Sequence, residues 1–151
     1  MKNRDKLRQP RGFLILQWND ELPRRYDNLV VDAGLQHIGD IMDGSDTTNL
    51  TLTKFGTGEG STTVAKTDTI LETEIGKITG QSTGYPIRDG DVLKNAFQVG
   101  KTKLGGTWRE VGLFFGDDTM WCHINVEERE KSDDPSTGDV VSVWYYCDLV
   151  N

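Results

Sequence analysis

Apolar and polar residues alternate along most of the chain, which is the spacing of half-buried β-strands. In residues 139–149 every second side chain is apolar on one side, and the other side carries polar residues together with Trp144 and Tyr146. Strand-like stretches also occur at 12–18, 50–55, 76–82, 91–99, 108–115 and 119–127. Turns separate them every eight to twelve residues. The pattern predicts an all-β, mainly antiparallel fold of about seven to eight strands, either a β-sandwich or barrel-like.

One segment has helical spacing instead. Its apolar residues repeat at three- and four-residue steps and form one face: Leu35, Ile38, Ile41 and Met42. Asp32 is the expected N-cap, because its carboxylate can accept from the free N–H groups of the first turn. Gly44 is expected to end the helix. The sequence therefore predicts one α-helix packed against the sheets.

A central unit consists of a strand, a glycine-rich exit and a long loop. The strand at 50–55 ends at the Gly-Thr-Gly of residues 56–58, because glycine permits the positive φ angles of a tight exit. Residues 59–66 are a polar loop. Asp68 and Thr69 suit a turn, since their side chains can bond nearby backbone N–H groups. Apolar residues then return the chain to the core.

Three blocks in order resemble a family of tailed-bacteriophage virion proteins, which includes tail-fibre, collar-fibre and baseplate-associated proteins. Residues 28–42 read as Asn, an apolar pair, Ala-Gly-Leu and an amphipathic helix. Residues 56–74 read as Gly-Thr-Gly, a loop, and Asp-Thr-x-Leu-x-x-Glu. Residues 109–113 read as Arg-Glu-x-Gly-Leu. Residues 1–25 match no part of the family pattern.

The resemblance implies a non-enzymatic structural protein of the virion, made in the host bacterial cytoplasm. It would be a building block of the tail, baseplate, fibre-attachment or neck region. Its expected partners are other virion proteins and further copies of itself. A glycan- or receptor-binding module of a phage tail is the alternative, and a small hydrolase is a third hypothesis with little support from the residues.

Charge divides the chain unevenly. Residues 1–25 contain seven Lys or Arg against three acids, whereas residues 26–151 contain ten against 21, within a net charge of −7. We therefore expect a basic N-terminal arm with the first strand at 1–25 and a β-sandwich domain at 26–151. The arm offers Arg4, Lys6 and Arg8 for subunit or ligand contact, followed by Phe13 at the start of an apolar strand.

The composition argues against two classes of partner. An acidic body does not favour nucleic acid, since contacts to phosphate need clustered cations. A membrane helix needs roughly 20 consecutive apolar residues, and the longest apolar stretch here is far shorter. Cys122 and Cys147 are expected to be buried free thiols rather than a disulfide, because disulfides are rare in a reducing cytosol.

No pattern predicts catalysis, a cofactor or a metal. The Gly-rich run 56–61 contains Glu59 where a phosphate-binding loop would need a lysine and a following helix. His37 and His123 have no nucleophile motif beside them and are expected to be ordinary packing or surface histidines. Paired aspartates at 89/91, 117/118 and 133/134 lie in predicted turns, where aspartate is common for its own local hydrogen bonds.

Two further hypotheses concern particular side chains. Trp144 and Tyr146 lie opposite the predicted core face, so we expect a subunit contact first, simple packing second and sugar binding third. Arg109 and Glu110 are neighbours on a strand and point to opposite faces unless a bulge intervenes. We expect an ion pair between Arg109 and Glu74 as a structural element.

Overall fold

Residues 10–149, which the computed structural model describes, form two five-stranded sheets packed face to face. One sheet contains β1 (Arg11–Trp18), β2 (Arg24–Asp27), β6 (Ile87–Asp89), β7 (Val92–Val99) and β10 (Val141–Asp148). The other contains β3 (Leu29–Val30), β4 (Leu52–Gly58), β5 (Glu74–Thr79), β8 (Gly106–Phe115) and β9 (Met120–Lys131). The helix α1 (Asp32–Met42) follows β3.

The strand orders are β2-β1-β10-β7-β6 in the first sheet and β3-β9-β8-β4-β5 in the second. Every described pairing is antiparallel. The sheets do not close into a barrel. The predicted all-β, mainly antiparallel β-sandwich is therefore confirmed. Ten strands are described rather than seven or eight, because β3 and β6 are only two and three residues long and have no alternation to detect.

The core lies between the sheets and follows the alternation in the sequence. In β10 the residues facing the core are Val141, Val143, Tyr145 and Cys147, each at most 1% exposed. Aromatic rings from both sheets meet at the centre, where the Phe55 ring lies 5.8 Å from Trp108 and 6.2 Å from Phe97. Burial of this apolar surface is the main favourable contribution to folding.

The loop at 59–73 covers part of the outer face of the second sheet, and Ala33 at the start of α1 packs beside it. A second apolar cluster of Val31, Leu71, Phe114 and Met120 forms there. A Cβ on Gly34 would lie 2.9 Å from the backbone of Trp121, so glycine lets the helix approach β9 closely. The outer face of the first sheet has no comparable cover among residues 10–149.

The helix is present, but two details of its prediction were wrong. Val31 is the N-cap and has no side-chain capping bond, while Asp32 is the first helical residue and donates its N–H to the carbonyl of Lys66 at 2.8 Å. Ile38 and Met42 are 37% and 83% exposed. Leu35 and Ile41 pack against the main core, so only part of the apolar face of the helix is covered. No helix within residues 10–149 is long and apolar enough to cross a membrane.

The predicted division at residue 25 was also wrong, because that position lies inside β2. β1 lies between β2 and β10 and pairs with both, so residues 11–25 belong to the sandwich. The apolar stretch that begins at Phe13 therefore has no unpaired edge to add to a neighbouring sheet. Arg4, Lys6 and Arg8 lie outside the described residues.

Two leucine substitutions test the position of the core. Leu14 is fully buried and Leu22 is 89% exposed. Leu14→Ala is expected to lower the free energy of unfolding by about 2 to 5 kcal/mol, because it leaves a cavity in the core. Leu22→Ala is the matched control and should change it by less than about 0.5 kcal/mol, as measured by urea denaturation. Equal effects of the two substitutions would contradict this placement of β1.

Candidate functional site

A cluster of buried polar side chains lies on the outer face of the second sheet, beneath the loop at 59–73. Its centre is Glu110 of β8, which is 0% exposed. The pairing of β8 with β9 shifts register between Trp108 and Glu110. Because of this shift Trp108 and Val111 both reach the core, and Glu110 points away from it.

The Glu110 carboxylate accepts hydrogen bonds from the loop above it. The backbone N–H of Glu72 lies 3.1 Å from Oε2, and that of Thr73 lies 3.0 Å from Oε1. On the adjacent strand, the buried hydroxyl of Thr57 donates to the main-chain carbonyl of Glu110 at 3.0 Å. A buried carboxylate is tolerated only when such donors replace water. These contacts therefore fix the end of the loop to β8.

His123 of β9 links this carboxylate to a second one. Its Nε2 lies 3.0 Å from Glu110 Oε2, and its Nδ1 lies 2.8 Å from Asp68 Oδ2. Burial alone would raise the pKa of Asp68, but hydrogen bonds from the Ala65 N–H and from His123 outweigh it and lower that pKa. A neutral imidazole donates through one nitrogen only, so satisfying both carboxylates requires one further proton within the cluster.

The glycines of the central unit are explained by their distance from this carboxylate. A Cβ on Gly58 would lie 2.3 Å from Glu110 Oε1 and 2.6 Å from the Thr73 carbonyl oxygen. A Cβ on Gly60 would lie 2.8 Å from Glu110 Oε2. These positions have no room for any side chain. Gly58 therefore serves close approach to Glu110, and neither glycine of the Gly-Thr-Gly exit adopts a positive φ angle.

A second anchor holds the middle of the same loop. The Asn125 side chain accepts from the N–H of Val64 at 3.0 Å and donates to the carbonyl of Thr62 at 3.1 Å. Within the loop, the N–H of Thr62 donates to Glu72 Oε2 at 2.9 Å. The loop is thus held by side chains of β8 and β9 along its length.

The cluster has the geometry of a structural anchor. A general base needs a free nitrogen within reach of the proton that it removes. Both ring nitrogens of His123 contact carboxylate oxygens, so neither faces a nucleophile. What the cluster can do is hold the loop against the sheet. The segments containing Asp68 and Glu110 are recognisable in the sequence, but no local pattern connects them, and His123 was expected to be an ordinary histidine.

The expected ion pair between Arg109 and Glu74 was wrong. Arg109 donates to Glu128 at 2.8 Å and to the carbonyl of Glu59 at 3.2 Å. Glu74 instead pairs with Lys77 on its own strand. The register shift beside Arg109 turns its side chain toward β9, and the buried member of the Arg-Glu pair is Glu110.

Trp144 and Tyr146 are half-buried on the outer face of the first sheet, where the alternation predicts them. Phe13 stacks on Tyr146 with a centroid distance of 4.9 Å and an interplanar angle of 20°. Ile15 is the strand partner of Trp144. We call Phe13, Ile15, Trp144 and Tyr146 the aromatic strip. Its role in subunit or ligand contact remains a prediction.

Both cysteines are buried and free. Cys122 lies in β9 and Cys147 in β10, so they belong to facing sheets rather than to neighbouring strands of one sheet. Burial raises the pKa of Cys122 to about 12 and also raises that of Cys147. Neither thiol is therefore disposed to ionise and react.

Comparison with known proteins gives no match: no protein-family model, no curated protein and no solved structure is significantly similar to the chain.

Replacing the central carboxylate tests the anchor. Glu110→Gln puts an amide NH₂ among backbone donors, so we expect it to lower the free energy of unfolding by about 2 to 4 kcal/mol. It should also speed trypsin cleavage after the exposed Lys66. Glu128→Gln is the control, since Glu128 is exposed and paired only at the surface, and its effect should stay within about 1 kcal/mol. Wild-type resistance at Lys66 in the Glu110→Gln variant would contradict the anchor.

Two glycine substitutions separate close approach from backbone flexibility. Gly58→Ala is expected to destabilise the protein by about 1 to 3 kcal/mol, because its methyl group would overlap the Glu110 carboxylate. A Cβ on Gly39 in α1 meets nothing within 4 Å. Gly39→Ala should therefore stabilise the protein by about 0.5 to 1 kcal/mol through helix propensity. Thermal unfolding of both variants measures the difference, and a neutral Gly58→Ala would refute the steric explanation.

Proposed function

We propose that this chain is a non-enzymatic structural protein of a tailed-bacteriophage virion, acting as a building block of the tail, baseplate, fibre-attachment or neck region. In this proposal it assembles with further copies of itself and with other virion proteins. The proposal starts from the resemblance of three sequence blocks to virion proteins. Two of these blocks meet at one buried carboxylate, Glu110, and this favours a role in rigidity over one in catalysis.

The observation that carries the assembly role is the difference between the two outer faces of the sandwich. The outer face of the second sheet carries the anchored loop, whereas the outer face of the first sheet presents the aromatic strip. Partly exposed aromatic side chains on a sheet face are typical of protein contact surfaces. The strip crosses β1 and β10, the two central strands that pair along their whole length, so it is rigid before any contact forms.

The charges around the strip suit a contact between two copies. Arg25 and Asp27 lie on the β2 side of this face, and Asp89 and Lys94 lie toward β6. Arg25 also covers the Phe13 ring at 3.8 Å. Because each edge of this face carries one positive and one negative side chain, a second copy can pack against it without bringing only like charges together.

The same strip supports the alternative function. Flat aromatic rings such as Trp144 and Tyr146 also stack on sugars, so a glycan- or receptor-binding module of a phage tail would use the same side chains. A surface depression of about 810 Å³ lies beside Phe13, Arg25 and Tyr146, and a sugar would bind there. Assembly is the leading proposal because the sequence blocks resemble structural proteins of the virion.

The experiment is sedimentation velocity of the purified chain and of a Trp144→Thr/Tyr146→Thr double variant. We expect the wild type to sediment as an oligomer and the double variant to shift toward the 16.9 kDa monomer. Ile70→Thr is the matched control, because Ile70 is 72% exposed on the loop over the other sheet and should leave the oligomer intact.

The virion assignment is tested in particles. Phage in which this gene is disrupted would be grown in cells that supply the wild-type chain or the double variant from a plasmid. Mass spectrometry of purified particles should find the wild-type chain and little of the variant. A strictly monomeric chain that is absent from particles would contradict the proposal. A monomer that binds bacterial surface glycans through Trp144 would favour the alternative.

A further inference from the structure

Three potential metal ligands meet beside α1. None of them belongs to the aromatic strip or to the Glu110 cluster. They are His37 of the helix, Asp46 of the loop that follows it, and Asp117 of the turn between β8 and β9. One ligand atom from each lies within 4.8 Å of the other two. Asp117 is distant in sequence from the other two, and the fold brings it beside them.

The histidine is buried and its protonation at one nitrogen is fixed by geometry. His37 is 4% exposed and its ring packs on Phe115, with the centroids 4.2 Å apart. Its Nε2 lies 2.8 Å from the carbonyl oxygen of Asn49. A carbonyl only accepts, so Nε2 carries the hydrogen and the lone pair of the neutral ring is on Nδ1. Metal-binding histidines commonly have this arrangement, with the second nitrogen donating to a backbone carbonyl.

The other nitrogen has no hydrogen-bond partner within the described part of the chain. Nδ1 of His37 faces Oδ2 of Asp117 at 3.9 Å, which is too long for a hydrogen bond. Two ligand atoms that each lie about 2.1 Å from one ion are at most about 4.2 Å apart, so this separation fits a shared cation. A lone pair and a carboxylate that face each other at this distance otherwise repel.

The two aspartates are held in place by the backbone, which leaves oxygens for an ion. Asp117 accepts from the N–H of Thr119 through Oδ1, so Oδ2 remains. Asp46 accepts from the N–H groups of Thr48 and Asn49 through Oδ1, and its Oδ2 lies 3.8 Å from His37 Nε2 and 3.2 Å from Asn49 Nδ2.

Charge around the group is uncompensated. Among residues 10–149, no lysine or arginine forms an ion pair with Asp46 or Asp117. Asp40 lines the same surface depression, which has a volume of about 400 Å³ and gives solvent access to the three ligands. A cation that enters this depression is attracted by the negative potential of the carboxylates, and it can bind the lone pair on Nδ1 of His37.

We propose that His37, Asp46 and Asp117 bind a divalent transition-metal ion, with water completing the coordination. One imidazole nitrogen with carboxylate oxygens suits Zn²⁺ or Mn²⁺ better than Ca²⁺ or Mg²⁺, which prefer oxygen ligands alone. The ion joins α1, the following loop and the β8–β9 turn, and so it stabilises this end of the sandwich. The site is independent of the proposed virion role.

The test is thermal unfolding of the full chain, without a histidine tag and after EDTA treatment, with and without added Zn²⁺. At a free Zn²⁺ concentration about 100 times the dissociation constant, the melting temperature should rise by about 5 to 10 °C. Isothermal titration should give one ion per chain. Mg²⁺ and Ca²⁺ at the same concentration should produce a much smaller rise.

Substitutions assign the effect to the site. Asp117→Asn should abolish the Zn²⁺-dependent rise, and His37→Gln should do the same. Asp118→Asn is the matched control: it removes one charge from the same turn, and Asp118 pairs with Lys54 rather than with the cluster. It should retain the rise even if its starting melting temperature is lower. No rise in the wild type, an equal rise in Asp117→Asn, or an equal rise with Mg²⁺ would each overturn the proposal.

Discussion

The hydrogen bonding of one buried carboxylate determines how the second sheet is covered. Glu110 is fully buried, and removing a carboxylate from water costs several kilocalories per mole unless donors replace the lost solvation. The N–H groups of Glu72 and Thr73 are two such donors, and His123 contacts the same carboxylate from β9. The two N–H groups reach the carboxylate only when the loop at 59–73 is closed on the sheet, so burial of Glu110 and closure of the loop depend on each other.

Closure of the loop has consequences for the rest of the surface. It brings Leu71 onto Phe114 and Met120, and it places the carbonyl of Lys66 where the first N–H of α1 can donate to it. The outer face of the second sheet is thereby covered around Glu110, Phe114 and Met120. The first sheet has no such layer within residues 10–149, and this difference is the physical basis for proposing that its outer face contacts another molecule.

The strands whose apolar and polar residues alternate regularly could be predicted from the sequence. The alternation of β10 placed Tyr145 in the core and Trp144 outside it, because a strand reverses side at every residue and its pairing on both edges keeps it regular. The first strand was found for the same reason. Its assignment to a separate arm was wrong. β1 pairs with β10, about 130 residues later in the chain, and such a long-range pairing leaves no pattern in the local sequence.

The anchor could not be predicted because its contacts are long-range and its strand is irregular. The contact between Glu110 and Thr73 joins residues 37 positions apart, and the register shift at Trp108 reverses the side that a simple alternation assigns. That shift also explains why Arg109 pairs with Glu128 rather than Glu74. The glycines at 56 and 58 were recognised as important, but the close packing of Gly58 depends on a carboxylate from another strand. The His37 group was missed for the same reason.

Hydrogen exchange at two backbone amides tests the central claim most directly. If Glu110 holds the loop closed, the N–H groups of Glu72 and Thr73 open only when the loop detaches, and they should exchange about as slowly as amides in β8. The amide of Thr69, an exposed residue in the same segment, provides the internal reference and should exchange quickly. Exchange at Glu72 and Thr73 as fast as at Thr69, in the otherwise folded protein, would contradict the account.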